Sequence, residues 1–350
     1  MDPWDNFKPE KDNKLADSAE YLAILALRKK NKVVENLAAY REDCINRLMR
    51  DGLIMATSCA IDLSGSSFCV VSGASQGIGR AIAVEVAKLL GPKSVMLLLA
   101  RNKQELAITA SLCESPNVKV IPTSIDLGVA TEAEMSVVLK QALKGYSPED
   151  FANSLIFHNV GSLGNLAVET FRMENVEELR QYYDLNVFKV ISLNTQFLKI
   201  FEDVEDRVII VNITSLCAIK PMGGMAYYCS GKAAREMYFK VLAEEKKNIR
   251  VLNYAPGPVE TAMIDYIVSE AVNENLKDVF NSFKNQGSLL NTMTASRKSL
   301  FIFLMGLAWR CRYTMPLLLS GTVALLGQAW MFQIRVQTVH RLHENDVRFI

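Results

Sequence analysis

Six short runs rich in Val, Ile and Leu, at 66–72, 93–100, 117–124, 153–159, 207–214 and 249–255, are separated by stretches with helical periodicity. Runs so continuous in branched aliphatic residues predict parallel strands covered on both faces. Their alternation with helices predicts a doubly wound α/β sheet, mostly parallel and flanked by helices. In such sheets ligands bind beyond the carboxyl ends of the strands, so the chemistry is expected there.

The first run leads directly into a cluster of glycines. In "CVVSGASQGIGRAIAVEVAKLL", Gly73, Gly77 and Gly79 follow the spacing G-x3-G-x-G and a helical pattern begins. Glycines permit a tight turn and close backbone approach, and a helix N-terminus offers free N–H groups and a positive dipole. The segment Gly73, Ala74, Ser75, Gln76, Gly77, Ile78 and Gly79 is therefore expected to cradle a pyrophosphate. The end of the second run bears on the coenzyme: an acid there would accept the ribose hydroxyls of NAD, but this chain has Arg101 and Asn102. A guanidinium suits a 2′-phosphate through charge-assisted contacts, so NADP(H) is expected, with Arg80 beside the loop positioned to assist.

Tyr228 and Lys232 lie four residues apart in "YYCSGKAAREM" and share a helix face. Ser215 follows the fifth run and Asn186 lies in "YYDLNVFKV". These groups fit the reduction of a ketone, in which a developing alkoxide must be stabilised and protonated. The ammonium is expected to lower the phenol's pKa toward useful acid–base strength.

The remaining features bound the function. Net charge is +1, so no charged field points to nucleic acid. Seven cysteines without a CxxC pair read as reduced cytosolic thiols, with no metal site and no disulfide frame. The start of the chain lacks a signal-peptide pattern. Residues 1–54 are expected to form a helical extension and linker, with Val33, Leu37, Tyr40, Cys44 and Leu48 at helical spacing; Met55 is a candidate internal start. Residues 55–304 form the expected NADP-binding domain. Residues 305–350 are an apolar tail in which 313–334 carries no charged side chain. That length suffices to cross a bilayer, but Pro316 and two glycines favour a tail that stays out of the membrane, and 332–339 fits an edge strand.

Taken together, the glycine loop, Asn186, Ser215, Tyr228 and Lys232 resemble the short-chain dehydrogenase/reductase family. "NITSLCAIKPMGGMAYYCSGKAAREM", "IRVLNYAPGPVETAM" and "GSLGN" resemble the sepiapterin reductases within it. The likeness runs from about 66 to 304. It implies a Rossmann-type fold and a cytoplasmic homodimer that uses NADPH to reduce pterin side-chain carbonyls in tetrahydrobiopterin biosynthesis. By position, Tyr228 would donate the proton, Ser215 hold the substrate carbonyl, and Lys232 bind the nicotinamide ribose. Asn186 would anchor a relay water. Asp126 and Leu127 would meet the adenine, Asn159 would border the cofactor, and Val259, Glu260, Thr261, Ala262, Met263 and Ile264 would follow the nicotinamide. Thr214 and Gly257 match positions lining the pterin pocket.

The match departs from the family in three places. His158 replaces an amide and is expected to be a structural histidine. The N-terminal extension has no counterpart. The family's last strand and pterin-gripping aspartate have none beyond about residue 304, where Glu344 and Asp346 are candidates by composition only. Two further readings therefore stand beside the first: a broad carbonyl or diketone reductase, and an inactive NADP-binding interaction protein.

Overall fold

The computed structural model describes residues 61–304, and of 301–304 the backbone alone. The extension 1–54, the span 313–334 and the candidate strand 332–339 lie outside the described residues. The chain divides into two compact units, and almost all described residues belong to the one that runs through Asp62–Leu300.

This unit is built on a six-stranded parallel sheet. Its strands are β1 (Ser67–Ser72), β2 (Ser94–Ala100), β3 (Val118–Ser124), β4 (Asn153–His158), β5 (Val208–Ile213) and β6 (Arg250–Tyr254). Every one falls inside a run expected from the sequence. The spatial order is β3-β2-β1-β4-β5-β6, so the direction of winding reverses between β1 and β4. All residues of β1, β2, β4 and β5 are buried, which is why apolar residues dominate these strands. Edge strand β3 alternates instead.

Helices α1 (Gly77–Ala87), α2 (Lys103–Leu112), α3 (Glu132–Ala142), α4 (Val176–Tyr183), α5 (Lys189–Ile200) and α6 (Ala226–Glu245) fill the crossovers. Beyond β6 come α7 (Ala262–Glu270), α8 (Glu274–Asn285) and α9 (Thr292–Leu304). Short polar side chains set several starts. Asn102 caps α2, Asn175 caps α4, Asn273 caps α8, and Thr131 with Glu134 forms a reciprocal capping box on α3.

One face of the sheet closes over a cluster containing Phe68, Phe151, Phe197 and Phe201, whose rings stand 4.9–6.3 Å apart. Aromatic pairs at such separations add about 0.5–1.5 kcal/mol each beyond the area they bury. A second cluster, with Leu163, Leu166, Cys217, Ile264, Ile267, Phe280 and Phe283, gathers under α7 and α8 beside the strand ends. Helix α9 is tied back to α1 by Arg297, which donates to Glu85 at 2.9 Å, and to β6 by the Tyr254 hydroxyl, which donates to the Ala295 carbonyl at 2.9 Å. Burial alone would raise the Glu85 pKa, but the bonds from Arg297 and Lys88 more than offset it and hold the carboxyl below its ordinary value.

Candidate active site

The reversal of winding places the ends of β1 and β4 side by side, and this is where the glycine loop lies. Gly73 takes φ +67°, a left-handed conformation that favours glycine. Gly79 is required by space: a Cβ there would stand 2.1 Å from the Gly73 carbonyl oxygen and 2.4 Å from Asn159 Nδ2. Asn159, at the end of β4, donates through Nδ2 to the Gly73 carbonyl at 3.1 Å, and Ser72 Oγ accepts from its backbone N–H at 3.1 Å. The loop is thereby clamped between two strands, and no side chain caps the N-terminus of α1.

Thr261 reaches the same place from the other side of the cleft. Its methyl lies 3.6 Å from where a Gly77 Cβ would be, so the segment 259–264 borders the loop. That segment is fixed by Val259, which pairs with Leu290, and by the Glu260 N–H, which donates to the Leu290 carbonyl at 2.8 Å. A glycine-rich turn, uncapped N–H groups and a bordering segment fit a dinucleotide.

Of the residues expected near the adenine end, Arg101 is exposed, with Ser124 Oγ donating to its carbonyl at 2.9 Å. Asn102 accepts the Glu105 N–H as the α2 cap, Asp126 accepts the Gly128 N–H at 2.9 Å, and Leu127 is buried. Arg80, expected beside the loop, is already engaged there. It forms an ion pair with Glu105, donates to the Ser75 carbonyl, and donates through Nε to Thr109 Oγ1 at 2.9 Å. It braces the loop.

The four polar groups meet at the ends of β4 and β5. Ser215 opens a short 3₁₀ turn, Leu216–Ala218, and its hydroxyl accepts the Cys217 N–H at 3.2 Å on the side of the Tyr228 phenol, whose pKa it lowers. Lys232 is 6 % exposed; its Nζ donates to the Ile213 carbonyl at 2.7 Å and lies 5.5 Å from the centre of the Tyr228 ring. Asn186 sits in a π-helical segment, Asp184–Phe188, between α4 and α5. Such single π-turns occur often at functional sites. There Oδ1 accepts the Ser162 N–H at 2.8 Å while Nδ2 donates to the Tyr182 carbonyl at 2.8 Å. Gly161 leaves room for the group: a Cβ there would be 3.2 Å from Asn186 Oδ1 and 4.0 Å from Lys232 Nζ.

The electrostatics differ from expectation. Burial pushes the Tyr228 phenol up to about 12, with Cys217 acting in the same direction and the Ser215 hydrogen bond opposing. Lys232 is itself driven well below its ordinary value, first by burial and then by the neighbouring Arg235. A desolvated amine that loses its own charge does little to ionise a phenol. Tyr228 is thus held as a neutral phenol.

Arg235 was not singled out from the sequence, although it lies one turn beyond Lys232 on the same helix. It is 1 % exposed and donates to the His158 carbonyl at 2.8 Å, the Val160 carbonyl at 2.8 Å and Asn212 Oδ1 at 2.7 Å. It joins the ends of β4 and β5 beneath the site. Thr214 faces that layer too: its hydroxyl donates to the buried Glu236 at 2.8 Å rather than to the cleft. Gly257, at φ +81°, forms the turn after β6.

His158 is structural, as expected. It is fully buried against Phe239, its Nε2 lies 3.0 Å from Asn194 Oδ1, and burial pushes its pKa down to about 3. In an unfolded chain the imidazole returns to about 6.5. The unfolded state therefore binds the extra proton between about pH 6.5 and 3, and stability falls as pH drops through that window, by at most about 1.4 kcal/mol per pH unit. His158→Asn should flatten the acid limb of denaturant-derived stability. An unchanged slope would remove His158 as its source.

The family model for short chain dehydrogenases matches residues 67–271. The chain belongs to that family. Sepiapterin reductase of Meriones unguiculatus is 36 % identical over 239 residues, which is 67 % of this chain and 90 % of that protein. A benzil reductase of Bacillus subtilis is 24 % identical over 198 residues, covering 55 % of this chain and 75 % of that one. Among solved structures, KRED1-Pglu is 23 % identical with a TM-score of 0.58, covering 68 % of this chain and 95 % of that chain. As a short-chain dehydrogenase, the protein is an oxidoreductase that takes a nicotinamide cofactor and a small-molecule substrate. Among the described residues no helix is long and apolar enough to cross a membrane.

Proposed function

We propose that the protein is an NADPH-dependent carbonyl reductase of the sepiapterin reductase type, which reduces ketones on pterin side chains in tetrahydrobiopterin biosynthesis. The observation that carries this reading is the junction of Ser215, Tyr228 and Lys232: a buried phenol with an amine 5.5 Å from its ring centre and a hydroxyl at the start of the adjoining turn. The reduced nicotinamide supplies the hydride. Ser215 and Tyr228 together hold the substrate carbonyl oxygen, and Tyr228 delivers the proton as the alkoxide forms. Lys232 and Asn186 bind the ribose and a water on the path that returns a proton to Tyr228. The loop 73–79 holds the pyrophosphate and exposed Arg101 meets the 2′-phosphate.

In this reading 55–304 is the reductase domain, with 1–54 and 305–350 as appendages, and the enzyme works in the cytoplasm as a homodimer. Exposed apolar groups on α6, Met237 and Val241, support self-association because they share one helix face.

A second reading, reduction of small diketones, is favoured by one feature. From Ser288 to Leu304 the sequence holds no acid that would grip a pterin's amino-pyrimidine. Turnover of sepiapterin and of a small diketone with NADPH separates the two. A higher kcat/KM for sepiapterin supports the pterin assignment, and a higher value for the diketone overturns it.

A further inference from the structure

Three successive residues at the exit of β5 are held by three side chains of α6. Arg235 donates to Asn212 Oδ1 at 2.7 Å, Lys232 Nζ donates to the Ile213 carbonyl at 2.7 Å, and the Thr214 hydroxyl donates to Glu236 Oε2 at 2.8 Å. The Thr214 N–H is bound as well, donating to the Tyr254 carbonyl of β6 at 2.8 Å. Ser215 comes next, in extended conformation, and opens the 3₁₀ turn.

Glu236 lies one turn past Lys232 and is 1 % exposed. A carboxylate so deeply buried has to be paired. Its Oε2 accepts from Thr214, and the partly exposed Lys240 stands 2.9 Å from Oε1 as an ion pair. Filling space at position 214 does not require a hydroxyl, since valine has the same shape. What the hydroxyl adds is a directional bond to an anion, roughly twice as strong as one between neutral groups. That bond sits immediately ahead of the reacting serine.

We propose that Glu236 is a positioning residue for carbonyl reduction: by holding the Thr214 hydroxyl it sets the exit of β5, and so places the Ser215 hydroxyl against the substrate carbonyl. The inference rests on the role given to Ser215 above. Glu236 turns its carboxylate to Thr214 and Lys240, so it acts through the chain and not on the reacting atoms. A displacement of about 1 Å at such a hydroxyl is enough to cost about a hundredfold in rate.

The test is single-turnover oxidation of NADPH by the full chain, with sepiapterin or the small diketone, whichever turns over faster. Glu236→Met keeps the length of the side chain without an acceptor; it should slow hydride transfer by about ten- to a hundredfold and leave Kd for NADPH within about twofold of the parent. Glu236→Gln restores an oxygen acceptor and should recover most of the rate. Thr214→Val breaks the same bond from its other end, and reproduces the loss even if Glu236→Met does not fold. In a Ser215→Ala background, which is slow on its own, neither change should add a further loss, because the hydroxyl being placed is gone. A parental rate in the bond-breaking variants, a Gln variant no faster than the Met variant, or a full additional loss in the Ser215→Ala background would overturn the proposal and leave the functional reading intact. A Ser215→Ala protein as fast as the parent would remove that reading, and the proposal with it.

Discussion

A Tyr228→Phe protein should bind NADPH as the parent does and reduce carbonyls about a hundred- to ten-thousandfold more slowly, the usual range for losing a positioned proton donor. The substitution removes one hydroxyl and keeps the ring that lies 5.5 Å from Lys232 Nζ, so the packing of α6 survives. Stopped-flow oxidation of NADPH under single turnover reads the chemical step directly, and quenching of the coenzyme's fluorescence reads binding. Parental turnover in this variant would eliminate Tyr228 as donor. The phenol's raised pKa, about 12, adds a second expectation: it stays protonated through the whole working range. Any alkaline loss of activity should then come from another group.

Arg101→Asp should invert coenzyme preference. A charge-assisted bond to phosphate is worth roughly 1.5–3 kcal/mol, so KM for NADPH should rise by about ten- to a hundredfold or more. KM for NADH should fall, because a carboxylate at the end of β2 accepts the ribose hydroxyls. Arg80 is poorly placed to compensate, since Glu105, Ser75 and Thr109 already hold it and moving it would loosen the glycine loop. Measured ratios of kcat/KM for the two coenzymes decide the matter. If the ratio is unmoved, Arg101 is an ordinary surface residue and NADP preference needs another source.

The sheet was legible because β1, β2, β4 and β5 are buried throughout and mostly apolar, and burial on two faces favours a central parallel strand for runs such as "FCVV" or "MLLLA". The glycine loop was legible because steric demand at Gly73 and Gly79 admits no other residue. What the sequence hid depends on partners far along the chain. That Arg80 is tied to Glu105 and Thr214 to Glu236 cannot be read from either residue alone. The direction of the Tyr228 shift was missed for the same reason. Spacing showed a phenol and an amine on one face, but not how deeply the fold buries both. Arg235 had a visible signal, a cation three positions after Lys232 on a helix otherwise packing on strands. A charge there has to be met by carbonyls.

The π-turn at Asp184–Phe188 carries a consequence for how this chain can vary. A surplus residue in one turn shifts the phase of everything after it by about 100° relative to an unbroken α-helix. Single-residue deletion anywhere between Tyr183 and Lys189 would restore regular winding and rotate either Asn186 or the buried face of α5 out of place. Exchanges of side chain at the solvent-facing positions leave that phase untouched. Descendants of this sequence are thus free to change letters along the segment, but not to lose one.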